Sequence, residues 1–168
     1  MRSGFRTASA AATQPPRPEI AFEEVTLWAG DLVAEARPLR MSTVLGSCVS
    51  VCLYDPARRI GGMNHFLVPR GGETPQHGEW STARLIGQMR ELGSSAASLE
   101  AKLFGGSAPF NCPDTRESIG AANVLAARRV LEEHRISIVA EKVGVGAGMR
   151  MFFESWSGVV WLKTHFRS

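Results

Sequence analysis

The most constraining feature of this sequence is Val49–Tyr54, "VSVCLY", a β-branched and apolar run that predicts a strand. Its apolar residues fall on both faces of the strand, so other parts of the chain must cover both faces. Residues 55–58, "DPAR", have the composition of a turn, and Met63–Val68, "MNHFLV", predicts the returning strand, which Pro69 ends. We therefore expect a β-hairpin that is buried on both sides.

A cysteine and a histidine lie at matching ends of this predicted hairpin. If Tyr54 faces Arg59 across an antiparallel pair, Cys48 lies directly opposite His65 on the same face. Their Cβ atoms would then be roughly 4.5–5.5 Å apart. A bulge at Gly61–Gly62 would shift this register.

A thiol beside an imidazole is the minimum apparatus for nucleophilic attack on an amide or an ester. Cys48 and His65 are therefore candidate catalytic residues. The small-residue turn at Gly46 and Ser47 exposes backbone N–H groups near the thiol, and an oxyanion hole requires such donors. This spacing does not fix a substrate, and a structural role for a lone cysteine or histidine is equally compatible with it.

The rest of the chain predicts further strands and two helices, which together indicate an α+β architecture. The clearest helix covers residues 118–134, with Ser118 as its N-cap and an apolar stripe of core residues. A second helix is predicted over Glu79–Leu92. Strands are predicted within Glu23–Gly30, Asp31–Leu39, Ser98–Gly106 and Ile136–Glu141, and a closing hairpin turns around Ser155–Gly158.

Charge and length exclude several classes of protein. The net charge of +3 comes from Arg2, Arg6 and Arg17, because basic and acidic side chains balance in the remainder. A neutral globular part argues against binding to nucleic acid, and no apolar run is long enough for membrane insertion. We expect residues 1–20 to be a disordered tail and residues 21–168 to be a single domain.

Three cysteines do not form a disulfide framework, since the count is odd and the spacings fit no zinc pattern. No metal site is therefore predicted. A reducing cytoplasm is the simplest setting for such a chain, and it preserves a reactive thiol.

Three blocks of the sequence resemble the CheD family, the chemoreceptor glutamine deamidases of bacterial chemotaxis. The first is "TVLGSCVSVCLYDP" with "GGMNHFLVP", the second is "LEAKLFGGS" at Leu99–Ser107, and the third is "IGAANVLAARRVLEEHRISIVAEKVGVGAGMRMFF" at Ile119–Phe153. The blocks occur in the family's order, and the distance from cysteine to histidine agrees. The resemblance runs from about Val25 to about Leu162.

The resemblance implies a mixed β-sandwich with helices packed on the outside, similar to deamidating toxin-type cysteine hydrolases. It implies that Cys48 is the nucleophile and His65 its base, with no metal or organic cofactor. The family's third residue is a threonine six residues before the cysteine, where this chain has Ser42 with Thr43 beside it, and either hydroxyl can orient the imidazole. Gly46 and Ser47 would supply the oxyanion donors. Gly105, Gly106 and Ser107 are predicted to contact the substrate or to lie at the rim of the site.

The function implied is hydrolysis of receptor glutamine side chains to glutamate with release of ammonia, for adaptation in chemotaxis. We expect the pKa of Cys48 to fall from about 8.5 through an ion pair with protonated His65. The implied partners are the cytoplasmic domains of methyl-accepting chemoreceptors and a CheC-type phosphatase. Two alternatives stay open: an adaptor with little catalysis that binds receptors or the phosphatase, and a cysteine-dependent receptor methylesterase.

Overall fold

The computed structural model of the chain describes residues 6–7, 14–108 and 118–165, which form strands and helices in an α+β arrangement. The helices are α1 (Gly78–Glu91) and α2 (Ile119–Glu133), with a short 3-10 helix over Ala96–Ser98. The strands are β1 (Arg6–Thr7), β2 (Glu23–Thr26), β3 (Leu32–Glu35), β4 (Leu39–Leu45), β5 (Val49–Asp55), β6 (Ile60–Asn64), β7 (Glu100–Gly105), β8 (Ser137–Val143), β9 (Gly148–Glu154) and β10 (Val160–His165).

The strands form two mixed sheets of five strands each. The first sheet has the order β1-β10-β9-β4-β2, and the second has the order β3-β6-β5-β7-β8. In the first sheet β1 runs parallel to β10 and β2 runs parallel to β4, while β9 is antiparallel to both its neighbours. In the second sheet the β7–β8 pair is parallel and the other pairs are antiparallel.

Two hydrophobic cores divide the molecule into three layers. One core lies between the sheets, where Met41 and Phe153 of the first sheet pack with Cys52 and Phe104 of the second. The other core lies between the second sheet and the two helices, which contribute residues such as Leu85 and Leu131. The helices therefore cover the outer face of the second sheet, and the predicted α+β class is confirmed. The likeness to deamidating toxins stays a prediction.

Strand β5 lies in the middle layer, which explains why its sequence is apolar on both faces. Val49, Val51 and Leu53 belong to the core beneath the helices. Cys52 belongs to the core between the sheets, with Tyr54 packed against it. The expectation that this run is covered on both sides is confirmed.

The register predicted for the central hairpin is wrong, because Tyr54 pairs with Gly61 rather than with Arg59. Asp55, not Tyr54, is the last paired residue of β5, and it faces Ile60. Asp55 stays in the strand because its carboxylate accepts hydrogen bonds from the N–H groups of Ala57 and Arg58, at 3.0 and 3.2 Å. The loop therefore begins one residue later than predicted.

The Gly61–Gly62 pair does not form a bulge, so the difference in register has another origin. These residues pair regularly with Tyr54 and Leu53. An isolated bridge between Val49 and Phe66 continues the same register beyond β6. Within this register Cys48 is a diagonal neighbour of His65 on one face, rather than its direct partner.

Several predictions for the other elements are also tested by the described residues. Ser118 caps α2 as predicted, since its hydroxyl accepts a hydrogen bond from the N–H of Ala121 at 3.1 Å. The closing hairpin joins β9 and β10. The predicted tail, residues 1–20, lies partly outside the described residues, and Arg6–Thr7 pairs with β10. No helix among the described residues is long and apolar enough to cross a membrane.

Candidate active site

Alternation along β4 selects which hydroxyl faces the candidate site. Leu39, Met41 and Leu45 point into the core between the sheets. Since side chains in a strand alternate between its faces, Thr43 points the same way and Ser42 points to the opposite face. The structure thus brings Thr43, and not Ser42, to His65.

Thr43 holds the imidazole of His65 through a short hydrogen bond. The Thr43 Oγ1 and His65 Nδ1 atoms are 2.8 Å apart, and the same hydroxyl donates to the carbonyl of Leu27 at 2.8 Å. A threonine hydroxyl has one proton, so it must accept from Nδ1–H. The neutral ring therefore keeps its lone pair on Nε2, which is the arrangement that a general base requires.

Ser42 has a different partner. Its hydroxyl lies 3.4 Å from that of Thr26, on the neighbouring parallel strand β2. Ser42 thus stands where the resemblance places the third residue, but it forms no hydrogen bond to the imidazole, whose Nδ1 atom is held by Thr43. Its predicted role in orienting His65 has no support from this geometry.

Burial sets the protonation of His65. Desolvation lowers the pKa of His65 below its ordinary value of 6.5, and the carbonyl of Leu27 and the charge of Asp31 only partly oppose this effect. The Nε2 atom is buried and has no hydrogen-bond partner among the described residues. The imidazole is therefore neutral at pH 7, with a free acceptor.

Cys48 is a half-buried free thiol that packs against the core between the sheets. Desolvation raises the pKa of Cys48 above 9.0, and the cysteine's own backbone N–H partly opposes the rise. Desolvation of both groups therefore acts against the expected ion pair between a thiolate and protonated His65, because burial favours the neutral form of each. The two side chains do not hydrogen-bond to each other.

In the loop from Gly46 to Cys48, every backbone carbonyl accepts a hydrogen bond, whereas no backbone N–H donates one to another residue of the described part of the chain. The carbonyls of Gly46 and Cys48 accept hydrogen bonds from the N–H groups of Ser107 and Gly106, both at 2.9 Å. Among the described residues, the N–H groups of Gly46 and Ser47 have no hydrogen-bond acceptor, and the N–H of Cys48 is directed at its own sulfur. Unpaired N–H groups beside a thiol are suitable donors for an oxyanion.

Gly105, Gly106 and Ser107 support this loop from behind. Gly105 has a φ of 100°, and a Cβ atom there would lie 2.2 Å from the carbonyl oxygen of Cys48. These residues therefore allow close backbone approach, as the glycine pair predicts. Their predicted contact with substrate stays a prediction.

A cavity of about 250 Å³ adjoins Thr43 and His65. Its lining also includes Arg150 and two exposed apolar side chains, Trp28 and Val44. Cys48 does not line this cavity. The cavity therefore reaches the histidine from the side of β4.

Asn123 is a residue at the site that the sequence argument missed. Its side-chain amide donates to the carbonyls of Ser47 and Leu67, at 3.0 and 2.8 Å. A signal was present, because an asparagine one residue before Val124 falls on a buried helix face whose other residues are small or apolar. Among the described residues, no group of three or more His, Cys, Asp or Glu side chains is arranged to hold a metal ion.

Comparison with known proteins relates this geometry to one family. Residues 69–164 match the family model of CheD, described as CheD chemotactic sensory transduction. This matched stretch covers more than half of the chain and begins after His65.

Individual relatives match over most of the chain. A protein of Anaeromyxobacter dehalogenans named probable chemoreceptor glutamine deamidase CheD 1 is 38% identical over 143 residues, covering 83% of this chain and 84% of its own. A Sulfurimonas denitrificans protein named probable chemoreceptor glutamine deamidase CheD is 39% identical over 148 residues, covering 84% and 94%. A relative of the same name from Pseudomonas savastanoi is 33% identical over 156 residues, covering 86% of each chain.

A solved structure, the hypothetical protein YfiH of Bacillus licheniformis, shows a distant likeness. It has a TM-score of 0.39 and 16% identity, and the match covers 62% of this chain and 49% of that one. A likeness at this level carries no argument about fold or function.

Proposed function

The chain belongs to the CheD family, and we propose that it is a chemoreceptor glutamine deamidase that hydrolyses receptor glutamine side chains to glutamate and ammonia. Its substrates would be the cytoplasmic domains of methyl-accepting chemoreceptors. The structural observation that carries the chemistry is the hydrogen bond between Thr43 and Nδ1 of His65. This bond leaves the Nε2 atom of His65 without a hydrogen-bond partner among the described residues, and therefore free to act as a base.

The first half of the proposed reaction forms a thioester. The sulfur of Cys48 attacks the carboxamide carbon of glutamine while its proton passes to Nε2 of His65. The oxygen of the tetrahedral intermediate gains negative charge, and the free N–H groups of residues 46–48 stabilise it. Nε2–H then protonates the amide nitrogen, the C–N bond breaks, and ammonia leaves.

The second half returns the enzyme to its starting state. A water molecule attacks the thioester carbon and gives its proton to Nε2 of His65. The C–S bond breaks, Cys48 regains a proton from the imidazolium, and the glutamic acid product releases its own proton to water as it becomes a carboxylate. The imidazole thus acts alternately as base and acid, which requires a pKa near or below neutral in the resting enzyme.

The neutral resting pair supports general-base catalysis rather than a preformed thiolate. Burial disfavours charge on both Cys48 and His65. Proton transfer within the pair is therefore coupled to attack, when the substrate's developing oxyanion offsets the imidazolium charge.

Mass spectrometry of a chemoreceptor cytoplasmic fragment tests the proposal. We expect the wild-type protein to convert defined glutamines to glutamates with stoichiometric ammonia, and Cys48→Ala to convert none while keeping its fold. Cys52→Ala is the matched control, because Cys52 is a fully buried cysteine whose thiol has a raised pKa. It should retain turnover.

The other outcomes identify the alternatives. Release of methanol from a methylated fragment, without ammonia from glutamine, would support a receptor methylesterase. Binding of the fragment with neither product would support an adaptor, and ammonia release by Cys48→Ala would refute the cysteine mechanism. The CheC-type phosphatase partner and the cytoplasmic location stay predictions, and co-elution with such a phosphatase would check the first.

A further inference from the structure

Asn123 connects the two segments that carry the candidate thiol and base. It lies on α2, and its side-chain nitrogen reaches the carbonyl of Ser47, before Cys48, and the carbonyl of Leu67, after His65. Both carbonyls belong to residues outside the regular strands, where the sheet ladder does not hold them. One side chain thus spans two loops that meet at the site.

The orientation of this amide is unambiguous. Both close partners are carbonyl oxygens, which only accept hydrogen bonds, so the NH2 group must face them. Asn123 is fully buried, and its Oδ1 atom has no hydrogen-bond partner in the described part of the chain. Burying the Oδ1 acceptor without a partner destabilises the protein, so the two hydrogen bonds that the Asn123 NH2 group donates must compensate for it.

Two glycines allow α2 to approach closely enough for this contact. A Cβ atom at Gly120 would lie 2.5 Å from the carbonyl oxygen of Gly106, and one at Gly106 would lie 2.8 Å from the carbonyl oxygen of Gly120. The start of α2 therefore packs directly against the segment that supports the Cys48 loop.

The geometry of the peptide bond transmits the contact to the reacting centre. In a trans peptide, the C=O and N–H groups point in opposite directions. Holding the Ser47 carbonyl towards α2 therefore turns the Cys48 N–H away from α2. That N–H has no backbone acceptor among the described residues and is directed at the Cys48 sulfur.

We propose that Asn123 is a positioning residue that fixes the Ser47–Cys48 peptide, so that the Cys48 N–H serves as an oxyanion donor, and that holds this loop against the segment following His65. The proposal rests on the proposed function for its catalytic consequence. Its structural core, the orientation of the Cys48 N–H towards its own sulfur, can be measured without turnover.

The test compares Asn123→Asp and Asn123→Ala with the wild type. Both variants remove the two donors, and the alanine variant avoids a buried carboxylate if the aspartate variant does not fold. Ala127→Gly is the matched control, because it weakens the same helix within its buried face and removes no hydrogen-bond donor. All proteins are assayed well below their Tm values.

Two readouts are taken. With receptor fragment, we expect kcat of the Asn123 variants to fall by about tenfold or more, as loss of an oxyanion donor costs up to roughly 10²–10³, while KM stays nearly constant. Without substrate, we expect iodoacetamide to alkylate Cys48 more slowly at pH 8, since its thiolate loses the stabilising N–H. Fragment-ion mass spectrometry assigns the label to Cys48 rather than Cys52.

Normal kcat and normal alkylation in a folded Asn123→Ala protein would overturn the proposal. Equal losses in Ala127→Gly would also overturn it, because they would indicate a general effect of helix stability. If the wild-type protein turns over no glutamine, the proposed function fails, and the alkylation measurement still decides whether Asn123 orients the Cys48 peptide.

Discussion

A single hydroxyl determines the tautomer of His65. Because the Thr43 hydroxyl donates its only proton to the carbonyl of Leu27, it can only accept a hydrogen bond from Nδ1–H of His65. Ser42 is equally close in sequence, but it faces away and contacts Thr26. The two neighbouring hydroxyls therefore have unequal consequences for the chemistry.

We predict that Thr43→Val lowers kcat by about tenfold or more, whereas Ser42→Ala leaves it nearly unchanged. General acid–base catalysis contributes roughly 10²–10⁴-fold, and an imidazole without its orienting partner loses part of this. Thr43→Ser restores the hydroxyl and should recover most of the rate. Steady-state ammonia release measures all three, and equal losses at both positions would contradict the assignment.

The pH dependence of the reaction should show whether Cys48 and His65 are both neutral in the resting enzyme. A general base must be unprotonated, so kcat/KM should rise with pH through an apparent pKa below 6.5, the ordinary value for histidine, and then level off. Alkylation of Cys48 should rise through a pKa above 9.0. Rapid alkylation at pH 6 would indicate a thiolate–imidazolium pair instead.

At the scale of elements, the turn after β5 sets the position of the catalytic candidates. The fully buried carboxylate of Asp55 accepts hydrogen bonds from two loop N–H groups and from the hydroxyls of Ser94 and Ser98, at 2.6 and 3.0 Å. It therefore joins the hairpin loop to the segment that precedes β7.

Asp55→Ala should lower the free energy of unfolding by about 2–3 kcal/mol at pH 7, because it removes hydrogen bonds to a charged group. Burial alone would raise the pKa of Asp55, but the hydrogen bonds from Ser94, Arg58, Ser98 and Ala57 together lower it below 3.8. The wild type binds fewer protons when folded, so it loses this stability as the pH falls through the lowered pKa.

Urea unfolding of both proteins from pH 7 to pH 3 measures this effect. The difference between wild type and Asp55→Ala should shrink at the acid end. Glu91→Ala removes an exposed partner of Arg84 and should change stability by about 0.5 kcal/mol or less. A difference at Asp55 that is independent of pH would show that its charge is not involved.

The elements were predictable to different degrees because different forces position them. Periodicity was sufficient for α2 and for β5, whose apolar patterns reflect burial. The hairpin register depended on whether Asp55 belongs to the strand or the loop, and its hydrogen bonds from Ser94 and Ser98 are not visible in local sequence.

The site was less predictable than the fold. Choosing between Ser42 and Thr43 required knowledge of which face of β4 meets the other sheet. Assigning a role to Asn123 required knowledge of how α2 packs.

At the scale of the whole molecule, the two sheets form one unit through the core between them. Phe153 of β9 is fully buried, and a Cβ atom at Gly61 of β6 would lie 2.9 Å from its ring. This aromatic side chain therefore fills the space that a glycine leaves in the opposite sheet.

We predict that Phe153→Ala lowers the free energy of unfolding by about 3–5 kcal/mol, through lost burial and the cavity that remains. Leu125→Ala, at a side chain that is 57% exposed, should change it by about 0.5 kcal/mol or less. Guanidinium unfolding of both variants checks the contrast. A small effect at Phe153 would mean that the sheets can separate at little cost.

The candidate site takes its thiol and imidazole from the residues just before β5 and just after β6 of one sheet, and its orienting hydroxyl from β4 of the other. Thr43 lies on β4, and β4 is hydrogen-bonded to β9, which the ribosome makes long after His65. A nascent chain therefore carries the cysteine, the histidine and the β2–β4 pair before β9 is available to complete the sheet around Thr43. The sheet that carries the orienting hydroxyl is completed late in biosynthesis, after the thiol and the imidazole have both been made.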